Sequence, residues 1–493
     1  MSVPNPNAPP MLSPAPVEPV ESRSSAAESL QRCTRFAGLD VHKKTVVACV
    51  LDAGGRKVHG ESFACTGAEL ERFARAHLGS HAACALEATS NTWAVCGILS
   101  SHCGLVKVSN PLKTKAIAQA SVKTDKVDAK VLAQLLRCDY LPGVWVADDA
   151  TRRLRQQVAR RTALVQDRTA VKNRIHSHLA GELVSAPVDK LFETTGMTWL
   201  KQVLLNPQVR DYIDSDLRIL NSLEREIEKL DKQITAAAWK CDQAKLLLTL
   251  PGVDYPVAMT LLAALGDIHR FKDGDHAASY LGLTPSTHQS AEHCYHGPIT
   301  KQGNSHARWM LMEAAQHLDK HPGPLGVFFR RLAKKKNRNV AVVATARKLV
   351  TIAYLMLKTK EPYRYAQPAT VQAKLARLRV RGGGRKRKGG TKKGTAGRHP
   401  NYGSGNGQKR IPPLQEVCRK EGVAEPRPLE ELPAGEQRML ADTGLLAVLA
   451  VQRQETFRAN ALGGGPSGPK QWRPARRLLR AVLKASCGWQ CKR

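Results

Sequence analysis

Four carboxylates stand at positions that suit metal chemistry. Asp40 closes the apolar run Gly38-Leu39-Asp40, and Glu87 closes another, Ala85-Leu86-Glu87. Asp125 and Asp128 lie three apart in KTDKVDAK, so on a helix they share one face. Four hard oxygen donors brought together suit one or two Mg2+ or Mn2+ ions. Two such ions can activate an attacking oxygen and stabilise a leaving one in phosphodiester cleavage. Each acid alone has a plainer reading. An Asp after an apolar strand is often a turn or N-cap residue, and DxxD on a basic helix often makes only ion pairs. The argument rests on the four as an ordered set.

The rest of the composition points to phosphate as the partner. Lys and Arg total 76 against 42 Asp and Glu, a formal net charge of +34. That excess draws in any polyanion through counterion release and is rare in enzymes of small molecules. A nucleic acid is the leading partner and an acidic membrane surface the weaker alternative. No run approaches the ~20 apolar residues of a membrane span. The N-terminus has no basic region followed by an apolar core, so no secretion signal is expected. The 12 Cys form no CxxC pair and fit free thiols in a reducing compartment. These features together predict a soluble, intracellular protein.

The elements that must position the acids can be read from periodicity. Residues 1–33 form a Pro-rich leader expected to be disordered, with seven Pro in the first 30 positions. From Phe36, FAGLDVHKKTVVACVLDAGG predicts two strands joined by the His42–Lys44 turn, and KVHGESFAC a third. Helix GAELERFARAHL, strand HAACALEATS, helix TWAVCGILSSHC, strand GLVKVSNP and helix KTDKVDAKVLAQLLRC follow. A meander followed by alternating helices and strands is the order of an α/β RNase H-like domain, here 34–150.

Residues 151–243 read as long helices. Over 152–178 the basic residues Arg152, Arg153, Arg155, Arg160, Arg161, Arg168, Lys172 and Arg174 face one acid, Asp167. Ile213, Leu217, Leu220, Leu223, Ile227, Leu230 and Ile234 recur at steps of three and four, as in a coiled-coil hairpin or a dimer seam. A second unit, 244–360, opens with LPGV, a Pro-Gly turn between helices, and is mainly helical apart from a polar stretch around Ser286–Gly303. Between Glu361 and Glu416 there are 14 Lys and Arg and no acid, so 361–415 is expected to be a basic disordered linker. No motif is recognisable in 416–493.

The contexts GLDVHK, ALEATS and KTDKVDA resemble the DEDD set of the IS110/IS116/IS902-type insertion-sequence transposases, whose N-terminal domain is similar to the Holliday-junction resolvase RuvC. LPGVDYPVAMTLLAALGDIHRFKDGDHAASYLGLTP followed by GPITKQGNSHARWMLMEAA resembles that family's second domain. The resemblance spans roughly residues 36–360 and implies a RuvC-like DEDD domain, a helical coiled-coil middle and a mainly α C-terminal transposase domain. It implies Asp40, Glu87, Asp125 and Asp128 as ligands of Mg2+ (or Mn2+). It also implies DNA as substrate, excision and insertion through a circular intermediate, homo-oligomers, an element-encoded guide RNA, and a prokaryotic, nucleoid-associated setting without a membrane.

In that family a Ser shortly after a GLxP motif, in a Ser-Gly pair, acts as nucleophile on DNA. The matching position is Ser290 in STHQSAEH, where Ala291 replaces the usual Gly; Ser286 and Ser305 are rivals. The implied mechanism combines two domains, from one subunit or two, in a single site. Arg160, Arg161, Lys172, Arg174, Lys301 and Arg308 are the candidate nucleic-acid contacts, with solvated surface charge as the plain alternative. His293, Cys294 and His296 lack a fourth zinc ligand at sensible spacing. Other readings stay open: a resolvase-like metal nuclease that needs no serine, a non-catalytic nucleic-acid-binding protein, and an actin-like ATPase or sugar kinase. The last requires a second Gly-rich phosphate loop, which the sequence lacks.

Overall fold

A computed structural model describes residues 29–117, 124–290, 293–383, 409–428, 431–442 and 457–459. The chain divides into two units, the first ending at Ala147 and the second starting at Asp148.

In the first unit β1 (Arg35–Val41), β2 (Thr45–Asp52) and β3 (Lys57–Ala64) are short runs rich in apolar and β-branched residues, broken by polar turns. Gly55, at φ +83°, makes the second turn in a conformation that suits glycine. Then come α1 (Gly67–His77), β4 (Ala82–Glu87), α2 (Thr92–Ser100), β5 (Leu105–Ser109), α3 (Pro111–Ile117), α4 (Asp125–Arg137) and β6 (Gly143–Val144). The sheet order is β3-β2-β1-β4-β5-β6. β1 runs antiparallel to β2 and parallel to β4, and β4 runs parallel to β5.

Helices cover both faces of this sheet. On one, Leu39, Val41, Ala48 and Val50 bury against Leu70 and Phe73 of α1 and Val95 and Leu99 of α2. On the other, Phe36, Ala83 and Ala85 bury against Leu132 and Leu136 of α4, and Val47, Cys49 and Leu51 against its Ala129 and Ala133. Small residues on both sides let α4 lie close. A Cβ on Gly38 would sit 2.0 Å from the Ala129 carbonyl oxygen and 2.6 Å from the Ala133 nitrogen. The backbone of α4 therefore rests directly on β1, two residues before Asp40.

The strands and helices expected from periodicity are found in order, with two additions. α3 is only seven residues with a single buried side chain, and β6 is two residues long, too short for a periodic signal. At the N-terminal edge of this unit Leu30 and Cys33, placed by sequence in the leader, are buried beside Phe36. Residues 1–28 of that leader lie outside the described residues.

In the second unit α5 (Asp149–Gly181) and α7 (Pro207–Lys240) pack along one another, with α6 (Thr194–Gln202) between them in sequence. Ile213, Leu217 and Leu220 of α7 bury with Val171, Ile175 and Leu179 of α5. These heptad positions are thus filled within the chain, not reserved for a second subunit. Beyond them α8 (Asp242–Leu247), α9 (Tyr255–Leu265), α10 (Gly274–Tyr280), α11 (Ser305–Gln316), α12 (Pro324–Lys335) and α13 (Arg338–Thr359) surround the largest core. The polar stretch forms a hairpin, β7 (Pro285–Ser290) and β8 (His293–Ile299). α13 is long and apolar enough to cross a membrane, but its Ala346, Leu349, Val350 and Ala353 are fully buried in that core.

One expectation needs correction. The segment 361–415 contains α14 (Pro368–Arg381), whose Val371, Leu375 and Leu378 bury in the same core. An i, i+4, i+7 apolar stripe lies among its Lys and Arg residues, and the basic composition hides it. α15 (Leu414–Glu421) joins through Leu414, Val417 and Cys418 and through an ion pair of Arg379 with Glu421. Residues 384–408 of the expected linker lie outside the described residues.

The Gly38 contact yields a direct prediction. Gly38→Val should lower unfolding free energy by about 2–3 kcal/mol in urea, as overpacking against backbone does, while the same change at exposed, uncrowded Gly79 leaves it unchanged.

Candidate functional site

β1 and β4 pair in parallel with Leu39 opposite Leu86, so the next residues, Asp40 and Glu87, close adjacent strands side by side. Both continue the rows of Gly38 and Ala85 and so face α4. Thr124 caps α4, its hydroxyl accepting from the Val127 amide at 3.3 Å, and places Asp125 and Asp128 in the first turn. All four acids expected from sequence thus belong to one face of one sheet and the helix end above it. Oxygen and nitrogen atoms of Asp40, His42 and Asp125 come within 4.8 Å of one another.

Asp40 is the most enclosed member of that trio, its side chain 17% exposed against 58% for Asp125. Burial pushes its carboxyl above the usual range; His42 pulls it down, and the charges of Asp125 and Asp128 push it up again. Acids that raise one another's pKa are short of positive charge. His42 stands beside them, its Nε2 3.2 Å from Asp40 and 3.5 Å from Asp125. Sequence reasoning treated His42 as a turn residue. Its position two residues after Asp40, hence on the same strand face, was the signal available.

Glu87 is held from behind. The buried Thr92 donates its hydroxyl to the Glu87 carbonyl at 3.2 Å and accepts from the Thr89 amide at 2.6 Å. Asn91 donates to the His42 carbonyl at 3.4 Å, joining the loop after β4 to the β1–β2 turn. The donor set, carboxylate oxygens with one imidazole at its margin, fits a hard divalent cation such as Mg2+ or Mn2+. Asp40, Glu87, Asp125 and Asp128 are the residues that would hold it.

In the second unit Ser290 is exposed at the end of β7, paired with His293 across the hairpin, while Ala291 lies outside the described residues. Ser286 donates to the Pro298 carbonyl at 3.2 Å, and Ser305 is the exposed first residue of α11. Of the basic candidates, Arg161 pairs with Asp231 and Arg174 with Asp216, both within the helical pair. Lys172 lies 3.7 Å from Glu224 and over the Phe192 ring. Arg308 donates to the Leu281 and Gln302 carbonyls at 3.0 and 2.9 Å. Arg160 and Lys301 are exposed.

Known proteins share both halves of this arrangement. Residues 37–183, with all four acids, match the DEDD transposase domain model of the IS110 type, described as a transposase. Residues 244–325, with Ser286, Ser290 and Ser305, match the model described as Transposase IS116/IS110/IS902 family. Two stretches of the chain are thus similar to the IS110/IS116/IS902 transposase family. The chain is 25% identical over 254 residues to the transposase for insertion sequence element IS1111A of Coxiella burnetii, covering 50% of this chain and 69% of the relative. It is 26% identical over 358 residues to the pilin gene-inverting protein of Moraxella bovis, covering 66% and 97%. To the putative transposase y4qE of Sinorhizobium fredii it is 29% identical over 194 residues, covering 39% and 47%.

The stretch matched by the second family model contains the LPGV turn, built with little tolerance. Gly252, at φ +76°, would bring a Cβ within 2.3 Å of the Ala314 carbonyl oxygen. Half-buried Lys374, its pKa pushed down to about 8 by desolvation, donates to the Leu248 and Leu250 carbonyls at 3.1 and 2.6 Å. His321 Nδ1 accepts from the Gly323 amide at 3.1 Å, a bond only the unprotonated nitrogen makes. Burial, helped by Lys374 and Arg330, lowers the His321 pKa to about 4. The unfolded chain therefore binds a proton below about pH 6.5 that the folded one refuses until about pH 4, and stability falls across that window as pH falls. The His321 share is roughly 3 kcal/mol at the bottom of the window. Urea titrations at several pH values should show a shallower acid slope in His321→Gln than in wild type.

Proposed function

We propose that this transposase cuts and rejoins DNA with a divalent-metal site formed by Asp40, Glu87, Asp125 and Asp128 in a RuvC-like, RNase H-type domain, and with Ser290 as the nucleophile. The observation that supports the reading is the nearness of Asp40 on the sheet to Asp125 in the first turn of α4, with Glu87 on the neighbouring strand and Asp128 one turn along, in a chain of formal charge +34 with the Asp40 pKa raised. So strong an acid cluster in so basic a protein is best explained by a cation that a phosphate must also meet.

A Mg2+ or Mn2+ ion held there would polarise the scissile phosphate and lower the pKa of the attacking oxygen. The chain's own part is as follows. Asp40 and Glu87 are fixed by the sheet, and Asp125 and Asp128 by the helix docked on it, so the ligands are pre-organised. The Ser290 hydroxyl loses its proton to a base and its oxygen bonds to phosphorus. The bond from phosphorus to the departing strand breaks, and the freed strand oxygen takes a proton. An acceptor strand end then displaces Ser290, which conserves the phosphodiester for rejoining. The name of the Moraxella bovis relative, a gene-inverting protein matched over 97% of its length, supports conservative recombination over simple hydrolysis.

DNA binding follows from the charge. The family resemblance adds an element-encoded guide RNA, a homo-oligomer whose two domain types complete one site, and a place on the nucleoid of a prokaryotic cytoplasm. Arg160 on α5 and Lys301 after β8 are exposed, and Arg174 is exposed while paired with Asp216, so these three are the candidates best placed to meet phosphate. Arg161, Lys172, Arg174 and Arg308 would have to serve phosphate while keeping their partners within the chain.

The test is a cleavage reaction with the element's ends, its RNA and Mg2+, resolved on a denaturing gel. Wild type should form a covalent protein–DNA adduct. Asp40→Asn should cut slower by on the order of 10³-fold, the scale seen on losing a main electrostatic contributor. Ser290→Ala should form no adduct. Cutting that survives Ser290→Ala without an adduct would make the protein a metal nuclease of the resolvase kind, and binding with no metal-dependent cutting would remove the enzymatic reading.

A further inference from the structure

The other face of the sheet carries a cluster that the acid site does not use. His59 and Glu61 stand two apart on β3, opposite Val50 and Ala48 of β2, whose side chains join the core on the α1 side. They therefore point away from Asp40, which pairs with Val47 on the α4 side. His77, in the last turn of α1, reaches the same place. The His59 and His77 rings stack with centroids 3.7 Å apart and planes 14° from parallel.

Three ligand atoms gather there. Glu61 Oε1 lies 3.4 Å from His59 Nε2 and 3.6 Å from His77 Nε2, and all three atoms are within 4.8 Å of one another. Ligands about 2.0–2.1 Å from a tetrahedral metal are separated from each other by roughly 3.3–3.4 Å. Arg72 donates to the second Glu61 oxygen at 2.9 Å and more weakly to Oε1 at 3.5 Å, which fixes the carboxylate with Oε1 beside the imidazoles. His59 Nε2 is buried and makes no hydrogen bond among the described residues. The polar atom beside it is Glu61 Oε1, too poorly aligned to count as a hydrogen bond. Burial first, and then His59, holds the His77 pKa below its usual value, which keeps its lone pair free.

We propose that His59, Glu61 and His77 form a second metal site, for Zn2+, that ties α1 to the edge strand β3. Two imidazoles and one monodentate carboxylate are a borderline-soft donor set, distinct from the carboxylates of the acid site, and select Zn2+ over Mg2+. Water fills the fourth position. Coordination through both Nε2 atoms opens the ring stack by rotation about a Cβ–Cγ bond, a soft torsion. The competing explanation is that the two rings and Glu61 only pack against Phe73 and Arg72.

The experiment is a Zn2+ titration of chelator-stripped full-length protein against a chromophoric zinc indicator, in excess Mg2+. Wild type and Asp40→Asn should each bind one Zn2+ equally tightly, and His77→Gln should bind at least tenfold more weakly. Should His77→Gln lose its native circular dichroism, Glu61→Gln takes its place with the same expected loss. Zn2+ should also raise the thermal midpoint of wild type and not of the variant. No Zn2+ bound by wild type, or equal affinity in the folded variant, overturns the proposal.

Discussion

The contact of α4 with β1 at Gly38 governs the acid site. A strand residue without a side chain lets a helix backbone settle onto the sheet, and Ala129 and Ala133 meet it with side chains of one carbon. Because α4 is docked by its middle turns, its first turn is carried over the end of β1, where Asp40 stands. Sheet register supplies Glu87, since β4 pairs with β1 up to Leu86. Two independent constraints, helix docking and strand pairing, thus bring together acids separated by 88 positions, from 40 to 128. Like charges gathered this way oppose folding unless something offsets them. A bound cation would offset them.

Much of the first unit was legible in the sequence because its elements obey simple periods. Apolar runs of five to eight residues, separated by polar turns, gave the strands, and their closing acids gave Asp40 and Glu87. The spacing of Asp125 and Asp128 gave a shared helix face. What the sequence left unread were roles that depend on a partner distant in the chain. Gly38 reads as an ordinary strand glycine until α4 is placed on it. Thr92 reads as a helix N-terminal residue until its hydroxyl is found on the Glu87 carbonyl.

The second unit shows the opposite weakness, in which composition hid structure. Lys374, Arg377, Arg379 and Arg381 helped make 361–415 look like a basic disordered linker, although Val371, Leu375 and Leu378 mark a buried helix face. Arg161, Lys172 and Arg174 likewise looked free, and each has an acidic partner on α7. High net charge predicts the class of partner well and the individual contacts poorly, since a basic helix needs internal acids before it can pack.

The central claim is that all four acids hold one divalent-metal site. The most direct measurement is Mn2+ binding to the full-length protein, with free Mn2+ read by electron paramagnetic resonance, in wild type, Glu87→Gln and Asp128→Asn. The account predicts saturable binding in wild type that weakens at least tenfold in each variant while circular dichroism is unchanged. Binding that is undiminished in both variants would contradict it.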